Sequence, residues 1–112
     1  MIFIIGPLYA GKKEYIKEAL SLTKEAFAAK AVCDVEQLAA QTEELNTLAE
    51  KLAQKLIVIA NEIGCGVVPM EASARAARER AGHLTQLLAH RADTVVRVYC
   101  GLPQLLKGEW PC

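Results

Sequence analysis

Apolar and polar positions come in blocks along the chain, and their period changes from block to block. Ile2-Phe3-Ile4-Ile5 is a continuous apolar run ended by Gly6-Pro7, which predicts a buried strand. Over residues 12 to about 29, Tyr15, Ile16, Ala19, Leu20, Thr23 and Phe27 recur at three- and four-residue steps, which predicts a helix. Ala31-Val32-Cys33 reads as a brief strand ended by Asp34. Leu38, Leu45, Leu48 and Leu52 then mark one face of a helix over about 35–54. Leu56-Ile57-Val58-Ile59-Ala60 is the clearest strand, continuous, β-branched and bounded by polar residues. Residues 61–69 hold two glycines and a proline and predict a loop. Residues 70 to about 91, rich in alanine and arginine, predict a helix, and 94–99 a last strand closed by Gly101 and Pro103. From Gln104 onward the chain reads as a short tail.

Strands alternating with helices predict an α/β fold, a P-loop-type three-layer sandwich with a small, mainly parallel sheet of about four strands covered by helices. The strands are apolar without alternation, as expected where both faces of a sheet are covered. At 112 residues the chain fits one domain, and 53% hydrophobic with 23% charged residues excludes a disordered composition.

Charge removes further classes. Lys+Arg and Asp+Glu balance at 13 each, so no basic excess favours nucleic acid or an anionic membrane. No apolar run approaches the roughly 20 residues of a membrane span, and Met1 to Ile5 lacks the length and basic flank of a signal peptide. The expected compartment is the cytoplasm. Cys33, Cys65, Cys100 and Cys112 form no C-x-x-C pair and lie at no zinc-ligand spacing from a histidine, so free thiols are expected.

The first chemistry-bearing motif is Gly6-Pro7-Leu8-Tyr9-Ala10-Gly11-Lys12-Lys13, a G-x-x-x-x-G-K run between a strand and a helix. Gly6 and Gly11 would let the backbone wrap a phosphate, the opening N–H groups of the helix favour an anion, and Lys12 would reach the β and γ phosphates. The following position, where a hydroxyl ordinarily binds Mg²⁺, is Lys13, which offers no oxygen ligand and adds positive charge. Lys13 either neutralises phosphate in place of part of the metal's role or marks a site that has lost its chemistry. A glycine turn with solvated lysines is the plain structural alternative.

Asp34, at a strand end, could hold Mg²⁺ or cap the next helix; Glu36 is a second candidate carboxylate. Asn61 and Glu62 follow the clearest strand, at the edge where open α/β sheets bind ligands. Arg75 and Arg78 lie on neighbouring faces of one helix, available to an acceptor phosphate or a subunit interface, or simply solvated. His83 and His90 read as ordinary helix residues, and Trp110 as cover for an apolar edge or an interface.

Asn61-Glu62-Ile63-Gly64-Cys65-Gly66-Val67-Val68-Pro69 resembles the N-E-V-G-x-G-I-V-P stretch of the adenosylcobinamide kinase / adenosylcobinamide-phosphate guanylyltransferase family. The likeness continues through Ala74-Arg75, Arg78, Gly82 and Gln86 against A-R-x-x-R-D-x-x-G-x-x-N-Q, with Thr85 in place of the asparagine. Gly101, Pro103, Leu106 and Lys107 match the closing A-G-I-P-x-x-L-K, and Gly6, Gly11 and Lys12 match the loop G-G-x-R-S-G-K-S. The resemblance implies a cobalamin-biosynthesis protein that moves a phosphoryl group from ATP or GTP to the aminopropanol hydroxyl of a cobinamide, and a homo-oligomer. Taken with the residue readings above, the enzyme reading gives catalytic roles to Lys12, Asp34 and Glu62, nucleotide contacts to Gly6, Gly11, Lys12 and Lys13, and a Mg²⁺ ion to Asp34. The family also transfers GMP through a histidine lying between its first helix and the acidic strand. Here that interval is too short to hold it, so the guanylyltransferase step is expected to be absent. A non-catalytic nucleotide- or corrinoid-binding relative and a structural partner subunit are the alternatives.

Overall fold

The computed structural model describes residues 1–62 and 72–111. Five strands form one sheet: β1 (Ile2–Gly6), β2 (Ala31–Val32), β3 (Ile57–Asn61), β4 (Thr94–Tyr99) and β5 (Leu102–Lys107). Their spatial order is β2-β3-β1-β4-β5. β1 runs parallel to β3 and β4, β2 runs parallel to β3, and only β5 is antiparallel, folded back on β4. The α/β sandwich is therefore as expected, with one strand more than the pattern of the chain suggests.

The extra strand is the segment read as a tail. Leu102 to Lys107 contains Pro103 and is exposed along most of its length, so it lacks the apolar signature of the inner strands. A proline is tolerated because this strand lies at the sheet's edge, where one side of the backbone needs no partner.

The covering helices are α1 (Lys12–Ala19), α2 (Lys24–Lys30), α3 (Leu45–Leu52) and α4 (Ala72–Arg91), with a 3-10 segment at Val35–Gln41. Two expected helices are thus each broken in two. The first breaks where Ser21 takes a positive φ of 53° and the Thr23 hydroxyl accepts a hydrogen bond from Ala26 N at 3.1 Å. Thr23 had helical spacing, but its side chain serves better as an N-cap. The second breaks after Gln41, and α3 starts only at Leu45. Leu45 and Leu52 are buried, and Leu38 and Leu48 pack against the same core. The 70–91 helix is described from Ala72, and most of the 61–69 loop lies outside the described residues.

Period-two alternation sorts the strands onto two cores. Phe3, Val58, Ala60 and Val95 face the 3-10 segment, α3 and α4, meeting Val35, Ala49, Leu84 and Leu88. Ile4, Ile57, Ile59, Val96 and Val98 face the other way, against Ile16 of α1 and Phe27 of α2. Both faces of the inner strands are covered, which explains their unbroken apolar runs. Fully burying one such Ile or Phe side chain contributes about 1.5–3 kcal/mol.

The topology also locates a crevice. From β1 the chain crosses to β2 beyond β3; from β3 it crosses over β1 to β4. The connections leave in opposite directions around β1, and ligands of open α/β sheets bind beside the carboxyl ends of strands at such a point.

Candidate functional site at the phosphate loop

At the carboxyl end of β1 the chain enters the glycine loop and leaves it as α1. Gly6 is fixed there by packing: a Cβ at this position would overlap the carbonyl oxygen of Val98 on the neighbouring strand. Gly11 has φ +89°, a left-handed conformation that side chains disfavour. The loop is braced against the turn between β4 and β5, where Gly101 N donates to Ala10 O at 2.8 Å. Its outer side is open, with Tyr9 95% exposed at φ 62° and Leu8 60% exposed.

Lys12 opens α1 and is only 7% exposed. Its Nζ donates to Pro7 O at 2.5 Å, so the ammonium lies inside the curl of its own loop. Burial pushes its pKa below the ordinary lysine value; the carboxylates of Glu36, Asp34 and Glu62 oppose that shift, and Lys13 adds to it. A cation held with incomplete compensation gains when an anion arrives. Lys13 is exposed. A cavity of about 240 Å³ is lined by Leu8 to Glu14 of the loop and first helical turn, and by Asp34, Ile59 and Asn61.

The carboxylates come from the neighbouring strand ends. Gly6 and Asn61 are register partners on β1 and β3, and Glu62 N donates to Gly6 O at 2.8 Å, which places the 61–62 step directly beside the loop. Asp34 follows β2 with φ 56° and makes no side-chain cap for the 3-10 segment. Its Oδ1 instead accepts from Asn61 Nδ2 at 3.0 Å. Glu36, 8% exposed, accepts from the same amide at 3.2 Å and from Asn61 N at 2.8 Å. Lys12, Asp34, Glu36, Asn61 and Glu62 therefore belong to one cluster.

Glu62 is paired with Arg97 of β4, whose Nε donates to Glu62 Oε1 and whose Nη2 donates to Oε2 at 3.0 Å. The same guanidinium lies 5.4 Å from the centre of the Tyr99 ring. Arg97 was not legible as a site residue; a charge inside an otherwise apolar strand, Thr94-Val95-Val96-Arg97-Val98, was the available signal. Arg80 was missed as well. From α4 it donates to the carbonyl oxygens of Ala39, at 3.1 Å, and Thr42, satisfying the end of the 3-10 segment.

The remaining candidates lie apart from the cavity. Arg75 is exposed and Arg78 half-buried on the first half of α4, and neither lines the cavity. His83 and His90 are exposed on the same helix. His90 O accepts from Lys107 Nζ at 2.9 Å, beside the strand starts and far from the loop. Cys33 and Cys100 are free thiols, and burial pushes the Cys33 thiol up, away from reactivity. Among the described residues no group of three His, Cys, Asp or Glu is gathered as for a metal ion, and no helix is long and apolar enough to cross a membrane.

This arrangement can hold an oligophosphate over the loop with a buried lysine beneath it and carboxylates and an amide at its side. Comparison with known proteins places the chain in a family. The family model described as "Cobinamide kinase / cobinamide phosphate guanyltransferase" matches residues 15–106. The bifunctional adenosylcobalamin biosynthesis protein CobP of Pseudomonas aeruginosa is 37% identical over 76 residues, which cover 68% of this chain and 44% of that protein. The matched part is thus less than half the length of this curated relative. With a family match over most of its length, and a relative 37% identical over 68% of it, this chain belongs to the cobinamide kinase / cobinamide phosphate guanyltransferase family.

Proposed function

We propose that this chain binds a nucleoside triphosphate, ATP or GTP, at the Gly6–Lys13 loop and serves cobalamin biosynthesis by phosphorylating the aminopropanol hydroxyl of a cobinamide-type corrinoid. The observation that carries this is Lys12, almost wholly buried inside the loop and facing a cavity shared with Asp34 and Asn61. In the proposed reaction the acceptor hydroxyl oxygen forms the new bond to the γ-phosphorus and releases its proton to solvent, while the bond from that phosphorus to the nucleoside diphosphate oxygen breaks and the diphosphate leaves. Catalysis of this transfer depends on positioning and charge. Lys12 and the loop amides would stabilise charge on the phosphoryl oxygens, and Glu62, held by Arg97, would orient the acceptor hydroxyl. Arg75 and Arg78 are the candidates for the corrinoid's outer contacts or for a subunit interface. The residues act as one nucleotide-binding unit without the family's segment between first helix and acidic strand. Guanylyl transfer through a histidine has no candidate at the loop, since His83 and His90 both lie on α4.

Transfer of label from γ-labelled ATP or GTP to cobinamide tests this reading. Labelled corrinoid that disappears in Lys12→Met supports it; nucleotide binding without any labelled product leaves a protein that holds the nucleotide and does not turn it over. Two observations favour that second reading, the ammonium of Lys13 where a hydroxyl is ordinarily needed and the commitment of Asp34 and Glu36 to Asn61. The family resemblance also suggests a cytoplasmic homo-oligomer. Exposed Leu102 and Leu106 on β5, with Trp110, are the apolar surface it would use, and light scattering would measure its size.

A further inference from the structure

We propose that this loop takes its nucleotide as the free, metal-less triphosphate, Lys13 and Asn61 having filled the two positions through which a divalent cation would be held. The proposal rests on the nucleotide reading above and deepens it. Lys13 is the second residue of α1, and it lines the cavity together with Lys12 and Asp34. An ammonium has three donors and no lone pair, so it cannot ligate a hard cation that requires oxygen, and it repels one electrostatically. It can instead donate to the phosphate oxygens that a cation would otherwise neutralise.

The acidic side is closed to a metal by a different residue. Asn61 donates from Nδ2 to Asp34 Oδ1 at 3.0 Å and to Glu36 Oε2 at 3.2 Å, and from its backbone N to Glu36 Oε1 at 2.8 Å. Three of the four carboxylate oxygens are therefore engaged by a single residue that the β1–β3 register fixes beside the loop. Mg²⁺ demands near-octahedral oxygen geometry and usually binds through one or two carboxylates plus substrate phosphates. To recruit Glu36 here it would have to break hydrogen bonds in a largely buried place, which leaves Asp34 Oδ2 as the one carboxylate oxygen of this pair not engaged by Asn61; with Lys13 in place of the loop's oxygen ligand, the pair is a poor fit to the ion.

Charge points the same way. The free triphosphate carries two more negative charges than its Mg²⁺ complex, and Lys12 and Lys13 both line the cavity at the first turn of α1, the end of a helix that favours anions. The free form is the better complement.

Calorimetric titration with ATP, in excess EDTA and in excess Mg²⁺, reads the difference directly. The wild-type protein is expected to bind saturably in EDTA and several-fold more weakly in Mg²⁺. Lys13→Ser, at an exposed position where folding is checked by circular dichroism, should lose affinity in EDTA by about tenfold, the scale of one charge-assisted contact, and should no longer be weakened by Mg²⁺. Lys13→Gln supplies the same test with a longer neutral side chain. Binding by the wild type only in Mg²⁺ would overturn the metal-free proposal and leave the nucleotide reading standing. Binding of neither ATP nor GTP, titrated in the same two conditions, would overturn both. Equal metal response in the wild type and both Lys13 variants would remove Lys13 from the proposal.

Discussion

The two sides of the crevice at the carboxyl end of the sheet differ in what they leave available. On the loop side, Lys12 is buried, its nearest acceptor is a neutral backbone carbonyl, and Leu8 and Tyr9 stand open to solvent. On the strand side, Asp34, Glu36 and Asn61 satisfy one another, and Glu62 is paired with Arg97. The carboxylates compensate the loop's buried cation only in part, whereas three of the four oxygens of Asp34 and Glu36 are hydrogen-bonded. The difference separates two requirements that phosphoryl-transfer sites usually meet together, a cradle for phosphate and a seat for a metal. On the proposed reading the cradle is kept here, and the seat is largely taken up by the donors of Asn61.

Lys12→Met should have the largest effect. Removing the charge under the phosphates is expected to lower ATP affinity by about 2–5 kcal/mol, measured by calorimetry. Thermal unfolding of the same variant without nucleotide should show equal or higher stability, because a buried, depressed cation has been replaced by an apolar chain. A fall in stability with unchanged affinity would contradict the contrast between the two sides. Gly6→Ala acts on the frame that both sides share. Its methyl group would meet the Val98 carbonyl oxygen between β1 and β4, and we expect a loss of about 3 kcal/mol in denaturant unfolding, near the upper end for overpacking.

Asn61→Ala breaks the acidic side alone. Glu36 and Asp34 lose the shared Nδ2 donor in a partly buried setting, while the backbone N–H of residue 61 still serves Glu36, for an expected cost of about 1–3 kcal/mol. ATP affinity should change less than stability; the reverse would show that the strand side is as open as the loop. Arg97→Met removes the partner of Glu62 at a position about a third exposed, where solvent screening limits the loss to roughly 1 kcal/mol.

The smallest effect is one of pH. The folded-state pKa of Lys12 lies below its ordinary value of 10.5. Between the two, the unfolded chain binds more protons than the folded one, so the nucleotide-free protein should gain stability from this group as pH rises through that interval. Nucleotide affinity should fall over the same range as the ammonium is lost. Both slopes should vanish in Lys12→Met, which alkaline thermal melts and titrations would check.

How far these features could be read from the chain follows from how local each one is. The inner strands, the glycine loop and the covering helices leave signals within a few residues, because continuous apolar runs and helical spacing record burial directly. The helix break at Ser21 was harder, since Thr23 fits either an apolar stripe or an N-cap, and only the φ of Ser21 and the bond from Ala26 N decide between them. β5 was hidden because an exposed edge strand carrying Pro103 has no buried face to record. The candidate site was legible residue by residue, yet its connections were not. Asn61 joins Asp34 across 27 positions and Glu62 meets Arg97 across 35, and no periodicity encodes pairings of that separation. The position of Lys13 was visible from the start; what it faces became clear only when β2, β3 and the loop were brought together.

The central claim is that the Gly6–Lys13 loop is a nucleotide site. Titrating ATP, and in a second series GTP, into the ¹⁵N-labelled protein and following backbone amide resonances tests it most directly. The account predicts that the amides of Gly11, Lys12 and Lys13 move first and saturate together, with smaller shifts at Asn61 and Glu62 and none in Lys12→Met. Saturating shifts confined to another surface, or undiminished loop shifts in Lys12→Met, would contradict it.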